Sequence, residues 1–411
     1  MTSDGDHGVL NGIDRDEVVQ LMKDLQSYRS FSGNETEVMR FLAGWFDERG
    51  LPTELIDVSD EPGRPNLAVR IPGSGGGSSL MLNGHLDIDP VPLNYPLDPW
   101  DCHEEDGRLT GHGLVNMKAG VSAAAAATVA VHRAGAQLRG DLLFTGVVGE
   151  LQGGVGVYDL VQRGIGCDYT IVCEPSFLDV RTMHSGACQY VITVTGSSAW
   201  IGMLHRSEYV NAVNVMADVV KALDDVEFSA QPHPATPGLP RMIIGAINGG
   251  VGTDFLKWRA SYVADYSAII VEVRGVPGQD WEQTQADIDK VLEGVRAANP
   301  GAVIEIEGPP ATYTDDWRSM KVPGHGIDTP IDHMLPQTVA RHHTEVTGNA
   351  PERIGPQDPG SYAWTDAGWF ARGGSVPVVY GPTSNTERTI PIDNVLTVAR
   401  VLALTALDIC G

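Results

Sequence analysis

The sequence predicts an α/β protein that carries an inserted α+β domain, and three observations lead there. Short apolar runs at 79–82, 141–148 and 169–173 read as buried strands and alternate with helical patterns, as in a sheet covered on both faces. Each run ends beside a residue able to do chemistry (His85, Glu150 or Glu174), and strand ends are where open α/β sheets collect ligands. Beyond residue 183 the pattern changes to half-exposed strands and amphipathic helices in the order βαββαβ, one small sheet with two helices. The expected division is residues 1–182, an insertion at 183–308, and residues 309–411 rejoining the first part.

The elements follow in order. Asp14 with Glu17 marks a helix start, and Val18, Leu21, Met22 and Leu25 follow at helical spacing. Asn34 and Glu37 cap a second helix with the apolar face Val38, Phe41, Leu42, Trp45 and Phe46; Gly50 ends it. Strands are expected at 53–58, 66–71 and 79–82. The Gly/Ser-rich stretch 73–79 lacks the Lys-Ser/Thr ending of a phosphate loop and reads as a turn. A Pro-rich loop runs to Trp100, and Asp106-Gly107-Arg108 is a turn. An Ala-rich helix over 116–134 leads to a strand at 141–148, a helix at 155–163 and a strand at 169–173. The insertion reads as strand 189–195, helix 211–223, strands 242–248 and 264–274, helix 280–297 and strand 302–307. From Pro330 the chain returns to helix, forms a strand at 376–380 and closes with an apolar helix over 394–407.

Composition narrows the partners. The 411 residues hold 28 basic and 53 acidic side chains, a net charge of −25 with no long Lys/Arg run, which argues against nucleic acid and anionic membranes. Five cysteines (Cys102, Cys167, Cys173, Cys188, Cys410) without CxxC spacing fit a reducing cytoplasm and offer no thiolate metal site. The polar N-terminus is neither a signal peptide nor a membrane anchor, and no apolar run is expected to reach membrane-spanning length.

His85 and Asp87 stand two apart at a strand end, so they point to the same side of the pleat. The carboxylate can fix the imidazole tautomer and leave the other ring nitrogen for a metal or a proton. The same pair can equally satisfy each other at a loop mouth.

The chain resembles the zinc-dependent peptidase and deacylase family of acetylornithine deacetylase, succinyl-diaminopimelate desuccinylase, aminoacylase-1 and glutamate carboxypeptidase. The resemblance rests on Asn-Gly-His-Leu-Asp at 83–87, Asp-Gly-Arg-Leu at 106–109, Gly113 through Gly120 with Met117-Lys118, and Phe144 through Glu150. It continues in Cys173-Glu174-Pro175, Asn248-Gly249-Gly250, Thr365-Asp366-Ala367 and Tyr380-Gly381-Pro382. It implies a mixed-sheet aminopeptidase-like catalytic domain with a lid/dimerisation insertion, through which two chains would pair. It also implies a two-zinc site in which His85 and Glu174 hold one ion, Asp87 orients His85, and Glu150 is the general base.

The remaining family positions depart from that pattern. The bridging aspartate is Asn116, the second carboxylate of the Glu-Glu pair is Leu151, and the C-terminal histidine is replaced around Arg388. All the second ion's ligands are lost together, so the expected cofactor is none or one zinc ion on His85, Glu174 and Asn116, not two. Arg388 then offers a fixed positive charge in place of the missing ion. In the insertion the family's carbonyl-polarising histidine is Trp200, with His205 as a nearby substitute, and its asparagine is Asp254. Together with Asn116 and Arg388 these are the candidate substrate-binding residues. The arginine used for substrate carboxylates is Gly368.

Three functions are consistent with this pattern. One is a divergent amidohydrolase or peptidase acting on a small amino-acid-like or peptide-like substrate, with Glu150 as base and at most one metal. The others are a metal-independent acid–base enzyme of altered reaction type, such as cyclisation, isomerisation or elimination, and an inactive homologue that binds a ligand or partner. Retention of His85, Asp87, Glu150 and Glu174 favours an enzyme.

Overall fold

The computed structural model describes residues 4–95, 97–253, 261–309, 320–356, 363–383 and 388–411. They form two compact units: Met1–His184 with Gly324–Gly411, and Ser185–Pro323.

The first unit is built on a mixed sheet. Its strands run in the order Thr53–Val58, Glu61–Ile71, Leu142–Val147, Leu80–His85, Tyr169–Val172, Val376–Val379, Val180–His184 and Ile327–Asp328, with Ile354–Pro356 also pairing to Val180–His184. Leu80–His85 lies parallel between Leu142–Val147 and Tyr169–Val172, and every residue of Leu80–His85 and Leu142–Val147 is buried. Burial on both faces explains why these strands read as continuous apolar runs without alternation. The Ala-rich helix Ala119–Arg133 and the C-terminal helix Ile392–Cys410 pack in the same core as these strands. Gly120 has no room for a side chain: a Cβ there would stand 2.0 Å from the carbonyl oxygen of Cys173. That contact sets the helix directly against the segment that delivers Glu174.

The second unit has its own core, in which Tyr190, Ile192, Val194, Met216, Ile269, Ile288 and Leu292 are buried. Its antiparallel sheet has the order Arg241–Gly250, Tyr266–Gly275, Gly186–Thr195, Val303–Glu307, and the helices Ala212–Ala222 and Trp281–Ala298 pack on it. This is the expected βαββαβ order. Asn211 and Asp280 cap the two helices with their side chains, as Asp14 does for Arg15–Ser27.

Several local expectations need correction. The second helix, Thr36–Asp47, has Glu35 at its N-cap with no capping bond, because that side chain is held by Arg64, whose Nε lies 2.9 Å from Oε2. The Ala-rich helix starts at Ala119, and Asn116 before it takes an extended backbone (φ −118°, ψ 101°). The segment Leu114–Arg133 is in fact long and apolar enough to cross a membrane, but 94% of its most apolar 18-residue window is buried inside the protein, as suits a core helix. The strands Val180–His184, Ile327–Asp328 and Ile354–Pro356 carry too little apolar alternation to be read from sequence. A small sheet of His103–Glu105, Arg108–Thr110 and Thr389–Pro391 also escaped the reading.

Candidate active site

The three parallel strands end at one edge of the sheet and bring their termini together. Val147 pairs with His85, and Asn83 pairs with Val172, so Glu150 and Glu174 emerge on either side of His85. One ligand atom from each of His85, Glu150 and Glu174 lies within 4.8 Å of the others, and all three residues are buried.

The imidazole of His85 is oriented by a pair of acceptors. Its Nδ1 is 2.9 Å from the carbonyl oxygen of Asp87 and 3.3 Å from Asp87 Oδ1, so Nδ1 carries a hydrogen. Nε2 then faces three oxygens: Glu174 Oε1 at 3.0 Å, Asn116 Oδ1 at 3.2 Å and Glu150 Oε2 at 4.0 Å. Asn116, unlike the other residues here, is exposed and opens the site to solvent.

Asp87 connects the histidine to the base. It accepts hydrogen bonds from the backbone N–H groups of Glu150 and Leu151, both at 3.1 Å, and from Ser32 Oγ at 2.8 Å. Burial alone would raise its pKa, but its hydrogen bonds and the charge of His85 outweigh this and bring it down to about 2. For His85, burial disfavours the imidazolium, yet the carboxylates of Glu174 and Asp87 hold its pKa well above the ordinary value. Burial drives Glu150 well above the usual carboxylate range; Glu174, Asp366 and Asp87 add repulsion, and His85 opposes it.

The other candidates sit on other elements of the chain. The guanidinium of Arg388 lies over the Tyr95 ring at 4.9 Å, and its backbone oxygen accepts from the Gly111 N–H. Trp200 is half exposed in the second unit, and its backbone bridges Tyr262. His205 lies on the exposed turn Ile201–Arg206 of that unit. Asp254 lies outside the described residues. At Gly368 a Cβ would stand 1.9 Å from the carbonyl oxygen of His325, so the arginine expected there from the resemblance has no space.

Sequence reasoning missed Ser32 and Asp366. Ser32 has no motif to mark it. Asp366 was visible within Thr365-Asp366-Ala367, but only as a mark of resemblance. Lys118 is likewise fully buried, donating to the Tyr28 carbonyl at 2.8 Å, and burial lowers its pKa to about 7.

The donor set fits one divalent ion. Ligand atoms at about 2.0–2.2 Å from a tetrahedral ion stand roughly 3.3 Å from one another. The pairs His85–Glu174 and His85–Asn116, at 3.0 and 3.2 Å, are close to that spacing. A neutral ring nitrogen facing only acceptors is repelled by them, so a cation or a proton belongs there. Among the described residues no other group of this kind is found.

The fold and this buried group define a hydrolase of the metallopeptidase type. More particularly, the chain belongs to peptidase family M20/M25/M40, whose family model matches residues 81–408. It is 25% identical over 400 residues to the N-formyl-4-amino-5-aminomethyl-2-methylpyrimidine deformylase of Bacillus subtilis, covering 90% of this chain and 87% of the relative. It is also 25% identical over 307 residues to the acetylornithine deacetylase of Proteus mirabilis, covering 72% of each. Among solved structures, the di-peptidase Dug1p of Saccharomyces cerevisiae aligns with a TM-score of 0.77 at 11% identity, covering 98% of both chains. Human carnosine dipeptidase 1 aligns with a TM-score of 0.74 at 15% identity, covering 98% of this chain and 99% of that one. At such identities the structural likeness is one of fold.

Proposed function

We propose that this protein hydrolyses the amide bond of a small N-acyl amine, with Glu150 as general base and one divalent ion held by His85, Glu174 and the amide oxygen of Asn116. The observation that carries the reading is the convergence of Glu174 Oε1 and Asn116 Oδ1 on His85 Nε2 beside the buried Glu150 carboxyl of raised pKa. When bound, the ion would polarise the amide carbonyl and acidify the attacking water. Glu150 takes the proton from that water and passes it to the departing amine nitrogen, which leaves as a neutral amine. Asp87 fixes both partners, the ring through its carbonyl and carboxylate, and the Glu150 backbone through its carboxylate.

The lack of space at Gly368 favours a substrate without a free carboxylate beside the scissile amide. Relatives named for a deformylase and for a deacetylase support simple acyl groups on the other side. A panel of N-formyl and N-acetyl arylmethylamines, assayed against N-acetyl amino acids, tests this. We expect kcat/KM to be at least about tenfold higher for the amines, from the difference of one ionic contact. A preference for the N-acetyl amino acids overturns the substrate reading.

The proposal extends to a homodimer in the cytoplasm, the compartment suiting five cysteines that are all unpaired. The edge strand Arg241–Gly250 exposes Ile243, Ile244 and Ile247, at 55%, 38% and 58%, beside Val213 at 43%. An apolar, unpaired sheet edge of this length marks a surface that another chain covers. Light scattering is expected to give a dimer for the wild type and a monomer for Ile243→Lys/Ile247→Glu with unchanged circular dichroism. A wild-type monomer at micromolar concentration removes the dimer.

A further inference from the structure

Asp366 is a buried acid with no role in the chemistry above. It stands at the N-cap of the helix Ala367–Arg372, where an aspartate normally accepts the first free N–H groups, yet its side chain makes no capping bond. Thr365 Oγ1 takes that place, accepting from the Ala367 N–H at 3.2 Å, and Thr365 is in turn held by His184 at 3.0 Å. The Asp366 carboxylate is only 1% exposed, and neither oxygen has a hydrogen-bond partner.

Its surroundings belong to the active site. Oδ1 lies 2.7 Å from where a Cβ on Gly154 would stand, so it packs against the loop that opens with Glu150. Trp369 Nε1 donates to the Gly153 carbonyl at 2.8 Å and fastens the Asp366 helix to that loop. His85, Asp87 and Glu174 are near enough for their charges to act on Asp366, and Asp366 acts on Glu150. A carboxylate removed from water without a partner is strongly unfavourable, so a fold gains nothing from placing one there for packing. A nearby positive charge removes the penalty.

We propose that Asp366 is a counter-charge for the cation held at His85 and Glu174, acting through space and not as a ligand, and that it sets how tightly that cation binds. The inference rests on the one-ion reading above. It also accounts for an N-cap aspartate that does not cap: the carboxylate lies against the Gly154 loop, and the threonine before it does the capping.

The test is calorimetric titration of zinc into chelator-stripped wild type and Asp366→Asn, with a thermal melt of each stripped protein. Asparagine keeps the shape and removes the charge. We expect zinc affinity to fall about tenfold or more, as for the loss of a similarly buried counter-charge acting through a medium of low dielectric, and the metal-free Tm to rise. Asp366→Ser, smaller and also neutral, is expected to weaken zinc to the same degree, which separates lost charge from altered packing. Unchanged zinc affinity in a folded variant overturns the counter-charge role while leaving the one-ion reading intact. A fall in the metal-free Tm also overturns it, since the carboxylate would then be serving the fold. If the wild type takes up no zinc, manganese or cobalt, the one-ion reading fails and this inference fails with it.

Discussion

Replacing Glu150 by glutamine is expected to lower amide hydrolysis by about 10²–10⁴-fold, the usual contribution of a positioned general base. The substitution keeps the size of the side chain and one oxygen. The contacts that fix the turn are backbone bonds, from the Glu150 and Leu151 N–H groups to Asp87, and they survive. What is lost is the ability to take up a proton, and the pKa of this carboxyl is already displaced towards that task. Burial is the largest cause, followed by the charges around it, with His85 pulling the other way. Removing one of several like charges from the pocket should also leave the metal-free protein no less stable than the wild type. The measurement is kcat/KM beside a thermal melt. Turnover within about threefold of wild type would mean that another group moves the proton, since no ordinary base contributes so little.

Much of this arrangement was legible in the sequence because the central strands are buried on both faces. A run such as Leu80-Met81-Leu82 is then continuous and unambiguous, and His85, three residues on, is placed by the strand end. The helices capped by Asp14, Asn211 and Asp280 announce themselves for an equally local reason, since the capping group is in the sequence beside them. What could not be read depends on distant partners. Asn34 and Glu37 look like a helix start, but the N-cap is Glu35, whose side chain is bound to Arg64, and nothing local says so. The strand Val180–His184 is Val-Arg-Thr-Met-His, which has no strand periodicity and forms because neighbours on both sides of it supply the hydrogen bonds. The same limit applies in the site. Asn116 and Leu151 are plain departures from a family pattern, whereas the orphaned state of Asp366 appears only when the Gly154 loop is laid against it. The surroundings of Arg388 were equally out of reach: the strand Thr389–Pro391 next to it pairs with Arg108–Thr110, and its guanidinium lies over the Tyr95 ring.

Zinc added to the chelator-stripped protein is expected to bind with one equivalent per chain, and His85→Ala to bind none. Three donors converge on one point, His85 Nε2, Glu174 Oε1 and Asn116 Oδ1, which leaves a fourth position of a tetrahedral ion open for water or substrate. A second ion needs an anionic bridge and further ligands of its own. The resemblance puts Asn116, a neutral amide, at the bridge and Leu151 at the second carboxylate, and the N–H of Leu151 is already given to Asp87. Removing His85 leaves Glu174 and Asn116 without the nitrogen donor, and two oxygens, one of them neutral, are a weak site for zinc. Asn116→Asp should act in the other direction, since an anionic oxygen replaces a neutral one at about the same place. Zinc affinity is then expected to rise about tenfold or more, because an ionised carboxylate is the better zinc ligand. Stoichiometry is expected to stay at one, because Leu151 still supplies nothing. If the wild type takes two equivalents, the substitutions at 116 and 151 have not removed the second site and the single-ion mechanism is wrong. If Asn116→Asp alone raises the count to two, Leu151 is not what excludes the second ion.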